Sequence, residues 1–109
     1  MKENSLVSVV IPTKNSCANI QECLESIQRS TYPNYEVIVV DGHSMDNTPE
    51  LARLMGARLV IGSGQSRAAD CNIGIQEAKG EVVAFTDDDC VVDSRWLESI
   101  AAAFEDPRV

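Results

Sequence analysis

In A-K-G-E-V-V-A-F-T-D-D-D-C, residues 78–90, a helix end, a glycine stop, an apolar strand and three carboxylates follow one another without a gap. Gly80 is the residue type that closes helices. Glu81 to Thr86 is strand-sized and apolar, and Asp87-Asp88-Asp89 stands where that strand leaves the sheet. Immediately upstream, Arg67 to Lys79 reads as a helix with Ala68, Cys71, Ile75 and Ala78 on its apolar face. Before it lie a Gly/Ser loop (Gly62 to Ser66) and a short strand, Ala57 to Ile61. Thr48-Pro49-Glu50 opens another helix, with Thr48 as cap, Pro49 at the first helical position and Glu50 at the positive end. Leu51, Leu54 and Met55 form its stripe and Gly56 ends it.

The same alternation reaches both ends of the chain. Leu6 to Ile11 is a β-branched strand stopping at Pro12, and Tyr35 to Val40 is a second strand ending at Asp41-Gly42. Between them Ile20, Cys23, Leu24 and Ile27 recur at i, i+3, i+4, i+7, with Asn19 as N-cap. After the acidic triplet, Ser94 caps a helix whose stripe is Trp96, Leu97, Ile100, Ala101 and Phe104, ended by Asp106-Pro107. Four β-α repeats predict an α/β fold, a mostly parallel sheet with helices on both faces. Strands two and three are expected to run outward from the first, and the fourth to return to its other side. Residues 106–109 read as a lead-in to a further strand, so the sheet is expected to be part of a larger one. Its open edge would then favour self-association.

Composition narrows the function classes. The 109 residues carry 9 Lys+Arg and 17 Asp+Glu, a formal net charge of −8, and are 44% hydrophobic. That balance is wrong for disorder and for unassisted binding to nucleic acid or an anionic membrane. An acidic chain can still hold a phosphate ligand through a divalent cation. No apolar run has the length of a membrane span, and residues 1–15 lack the body of a signal peptide. Cys17, Cys23, Cys71 and Cys90 have no C-x-x-C spacing, which points to reduced, mostly buried thiols and a cytoplasmic location. In a longer parent chain that location could be the cytoplasmic face of a membrane.

Ligands of such sheets bind beyond the carboxyl ends of the strands, where strand order reverses. Asp87 to Asp89 is the strongest candidate there. Three adjacent carboxylates repel, one suffices for capping, and a hard cation such as Mg2+ or Mn2+ removes the repulsion. Alternation along an extended backbone turns Asp87 and Asp89 one way and Asp88 the other. Solvated loop charges are the rival reading. Asp41 stands where a carboxylate accepts from a base or ribose, with a turn role as the rival. Arg67 sits in a helix's first turn, where the dipole disfavours a cation. A diphosphate or the Asp cluster would offset that, and a local pair with Asp70 is the plainer alternative. Gly62-Ser63-Gly64 is no dinucleotide fingerprint, because the third glycine would fall on Arg67. The lone histidine, His43, makes neither a zinc site nor a triad. Asp46 is read as a helix starter and Trp96 as packing.

V-S-V-V-I-P-T-K-N (7–15), residues 30–48, R-A-A-D-C-N-I-G-I (67–75) and A-K-G-E-V-V-A-F-T-D-D-D-C (78–90) together resemble the family 2 glycosyltransferases, whose Rossmann-like fold is called GT-A. The resemblance spans nearly the whole chain. It implies transfer of a sugar from a nucleotide-diphosphate donor, UDP-linked by preference, to an acceptor hydroxyl with inversion. The acceptor could be a glycan, lipid or protein. By position it places Pro12 and Thr13 beside the base, Asp41 on the base, and Arg67 near base or diphosphate. It places Asp87 at the ribose and Asp89 on a bridging Mg2+ or Mn2+. Asp88 fills a middle position that the family usually leaves non-acidic, so Asp88 is a second candidate donor-site or metal residue. The acceptor half and its general base are expected downstream of Val109, leaving residues 1–109 as one donor-binding domain, inactive alone. The alternative is a non-catalytic α/β module that binds a divalent cation or a partner protein.

Overall fold

The computed structural model describes residues 5–105. Its elements run β1 (Val7–Thr13), α1 (Ile20–Gln28), β2 (Tyr35–Asp41), α2 (Thr48–Leu54), β3 (Arg58–Ile61), α3 (Arg67–Glu77), β4 (Val82–Phe85) and α4 (Trp96–Glu105). All strand pairs are parallel and the order is β3-β2-β1-β4. This is the order the sequence predicts, and it puts the reversal between β1 and β4.

β1 is buried along its whole length and divides the core. Val7, Val9 and Ile11 face α1, α2 and α4, where Ile20, Leu24, Ile27, Ala52, Leu97 and Ala101 pack. Val10, with Ile38 and Val40, faces α3 through Ile73 and Ala78. Alternation along the strand therefore feeds both layers.

Pro12 does not end the first strand. Pairing continues to Pro12↔Val40 and Thr13↔Asp41. The reason lies in which way the residue faces. The Val10 carbonyl accepts from Thr86 N on the β4 side, so residues of that parity, Pro12 included, point their backbone polar groups toward β4. β4 pairs only as far as Val10↔Phe85. The missing N–H of Pro12 therefore faces no acceptor strand and breaks no ladder.

The helix stripes need correction. In α3 the buried positions are Asp70 and Gly74, while Ala68 and Ile75 are exposed. A Cβ on Gly74 would lie 2.3 Å from Val10 Cγ1, so the helix approaches the sheet too closely for a larger residue. Leu54 of α2 is 83% exposed, and that helix buries Thr48 and Ala52 instead. Phe104 of α4 is also exposed. The caps differ too. Asn19 makes no side-chain cap bond, nor does Asn47, which holds the N-cap position of α2 with Thr48 already inside the helix. The Asp93 carboxylate, not Ser94, accepts from Arg95 N ahead of α4. The expected helix end at Asp106-Pro107 and the lead-in strand lie outside the described residues.

Candidate nucleotide and metal site

The carboxyl ends of the strands open onto a cleft of about 460 Å³. Each strand end contributes: Pro12 and Thr13 at the end of β1 with Lys14 beyond it, Gly42 after β2, Gly64 and Ser66 after β3 with Arg67 opening α3, and Asp87 to Asp89 after β4. A parallel sheet puts all such loops at one edge, so residues far apart in sequence meet there.

The three carboxylates have separate partners. Asp88 Oδ2 accepts from Thr13 Oγ1 at 2.8 Å and from the Ser16 hydroxyl, tying the β4 loop to the β1 loop. Asp87 and Asp89 each offer an oxygen that, with Cys90 Sγ, forms a group within 4.8 Å. Alternation along an extended backbone predicts Asp87 and Asp89 on one side; they meet instead across a turn at Asp88 and Asp89, closed by Cys90 N donating to Asp87 O at 3.2 Å. Arg67 forms an ion pair with Asp87, and Asp70 is not its partner. Both side chains of that pair are about half exposed, 56% and 53%. The pair is therefore screened and easily exchanged for a stronger anion or cation.

Asp41 is 2% exposed. Its two oxygens accept from Ser44 N at 2.9 Å and Ser44 Oγ at 2.6 Å, and it stands outside the cleft lining. It fixes the loop that carries Gly42 and the exposed His43, whose φ is +65°. Asn15, φ +52°, joins the β1 loop to this one by accepting from Met45 N at 2.7 Å. Asp46 starts α2, accepting from Thr48 N at 3.0 Å and from the Thr48 hydroxyl. Those bonds, the hydroxyl first, hold its carboxyl down at about 2.

Sequence reasoning missed Asp70 as a site residue. It is 5% exposed. Its Oδ1 accepts from Ser63 N at 2.8 Å, Ser63 Oγ at 3.0 Å and Gly64 N at 3.4 Å. The available signal was the helical row Asp70, Ile73, Gly74 and Glu77, which includes the two buried positions of α3 but carries little apolar weight.

All four cysteines are free thiols. Burial, and then the nearby Asp88, Cys90 and Asp89, push the Cys23 thiol up to about 11 from its ordinary 9.0. Because the folded thiol holds its proton longer, the stability it contributes is full below pH 9 and is lost as pH rises through 11. At pH 8, iodoacetamide is expected to alkylate the exposed Cys90 while Cys23 reacts only after unfolding. Equal native rates would contradict that environment.

Parallel strands, a switch point between β1 and β4, and a cleft at the carboxyl edge define an open α/β protein of the doubly wound class. Residues 8–109 match the family described as Glycosyl transferase family 2, and the chain belongs to that family. It is 41% identical over 100 residues to "Glycosyltransferase AglE" of Haloferax volcanii, covering 84% of this chain and 33% of that protein. It is similar in structure to a mannosyltransferase, PcManGT, from Pyrobaculum calidifontis in complex with GDP-Man and Mn2+. There the TM-score is 0.82 and the identity 33%, over 94% of this chain and 33% of that one. S. aureus TarS 1-349 in complex with UDP-GlcNAc aligns with a TM-score of 0.77 at 29% identity, over 94% and 32% of the two chains. The chain thus spans about a third of the length of its relatives. The fold is the Rossmann-like GT-A architecture of these neighbours. Among the described residues no helix is long and apolar enough to cross a membrane.

Proposed function

We propose that residues 1–109 are the donor-binding domain of an inverting glycosyltransferase that takes a nucleotide-diphosphate sugar, UDP-linked by preference. The observation that carries this is the grouping of Asp87 and Asp89 at the cleft while Asp88 is bound to Thr13 and Ser16. Two hard carboxylate oxygens suit Mg2+ or Mn2+; the thiol of Cys90 is not needed for that fit. When bound, the ion would neutralise charge gathering on the departing diphosphate.

In this reading Asp89 is the metal ligand, Asp87 faces the ribose, and Asp88 holds the β1 loop at the correct height. Pro12 and Thr13 border the base. Asp41 acts on the base side by fixing the Gly42 loop, or directly if Ser44 gives way. Arg67 exchanges Asp87 for the donor as the cleft fills. No residue of the chain is assigned as general base, so these residues alone bind donor without transferring the sugar. Family membership leaves a purely cation- or protein-binding module without a supporting observation.

Calorimetry with UDP and with GDP, each with Mn2+ and then with a chelator, tests the assignment. Binding is expected to require the ion and to be tighter for UDP. Affinity unchanged by chelation would refute the metal role, and preference for GDP would refute the base.

A further inference from the structure

We infer that Asp70 is a direct ligand of the donor's base, its free carboxylate oxygen accepting a hydrogen bond from a base N–H. This rests on the donor-binding reading above and adds a specificity residue to it.

Asp70 combines burial with incomplete pairing. It is 95% buried by area (5% exposed) and lines the cleft. Oδ1 takes all three bonds from Ser63 and Gly64, and Oδ2 accepts from no donor among the described residues. Yet no fully buried side-chain oxygen there lacks a partner. Oδ2 must therefore be reached from the cleft. In the open cleft water can meet that oxygen, and a ligand donor would take the water's place.

The surroundings are cleared of side chains. A Cβ on Gly62 would lie 2.5 Å from Asp70 Oδ1, and one on Gly42 would lie 3.0 Å from Oδ2. Gly64, at φ +71°, would place a Cβ 2.8 Å from His43 Cδ2. Gly42 and Gly62 thus leave Asp70 flanked by bare backbone, which lets a flat group approach closely.

Strand order says which part of the donor lies there. Gly42 and Gly62 follow β2 and β3, whereas Asp87 to Asp89 follow β4. At the usual strand spacing, Asp70 is roughly 10–14 Å along the cleft from the acidic group. With the diphosphate over Asp89 and the ribose at Asp87, the base is the part of the donor that reaches toward that end of the cleft. A carboxylate repels the diphosphate itself and accepts from neutral N–H or O–H groups.

The test is a thermodynamic cycle on the full chain with Mn2+, comparing wild type and Asp70→Asn. Asparagine keeps an oxygen for Ser63 and Gly64 and turns Oδ2 into a donor. UDP, 2′-deoxy-UDP and N3-methyl-UDP are the ligands, the last two separating ribose from base. Wild type should lose about tenfold to a hundredfold in affinity with N3-methyl-UDP. A loss that Asp70→Asn abolishes only for 2′-deoxy-UDP would overturn the base assignment. Asp70→Asn should bind UDP weakly and be indifferent to that same change. Equal weakening toward all three would reduce Asp70 to a loop clamp and overturn the inference, as would unaltered binding. If wild type binds neither UDP nor GDP, the donor-binding reading fails first, which is a distinct result.

Discussion

Asp89→Ala is expected to remove the Mn2+-dependent part of nucleotide binding while leaving the melting temperature almost unchanged. Asp89 is exposed and, among the described residues, its side chain bonds only to the neighbouring Cys90 thiol. Taking a full negative charge from beside a divalent ion should weaken affinity roughly tenfold to a hundredfold, even after screening. Asp88→Ala supplies the contrast. Asp88 accepts from Thr13 and Ser16, so its loss should lower the melting temperature but keep the response to chelation. If Asp88→Ala abolishes the Mn2+ effect and Asp89→Ala does not, the ligand assignment moves one residue. Manganese binding followed by electron paramagnetic resonance reads the ion directly, without requiring turnover.

The largest structural effect is expected at Gly74. Valine there would press its Cβ to 2.3 Å from Val10 Cγ1 and 3.2 Å from Val40 Cγ2, and both partners are fully buried in the central strands. Neither can retreat without disturbing β1 or β2. The overpacking should cost about 3 kcal/mol, a substantial part of the stability of so small a domain. The urea midpoint should fall accordingly. Nucleotide affinity should fall with it, because α3 carries Arg67 and Asp70 into the cleft. A stable Gly74→Val protein would mean that α3 does not rest on the sheet as described.

Much of this architecture was legible in the sequence because strands advertise themselves strongly. Val7 to Ile11 and Val37 to Val40 have few alternatives to burial, and the helix between each pair of strands makes the connection a parallel crossover. Even the reversal between β1 and β4 followed. The helices were less legible, since their apolar residues fit more than one face and only packing selects among them. Leu54, Ile75 and Phe104 point to solvent, whereas a glycine and an aspartate are what α3 buries. A close approach between backbones leaves no hydrophobic signature.

The site divides along the same line. Asp87 to Asp89 and Arg67 stood out because like charges crowded together, or a cation at a helix start, ask for a partner. Asp70 looked like an ordinary first-turn acid. Its importance comes from Ser63 and Gly64, whose N–H groups reach it only once the loop has closed. Asp41 was visible, but not the fact that Ser44 occupies both its oxygens.

Unequal strand lengths give the sheet a terrace. β1 and β2 run on to Thr13 and Asp41, while β4 halts beside Val10. The tread is the acidic loop, and the riser is a proline ring that offers no N–H to compete for a guest's oxygens. Had β4 continued two residues further alongside Pro12, its own backbone would have filled the ledge. Stopping a strand early is thus how this chain makes room for something else.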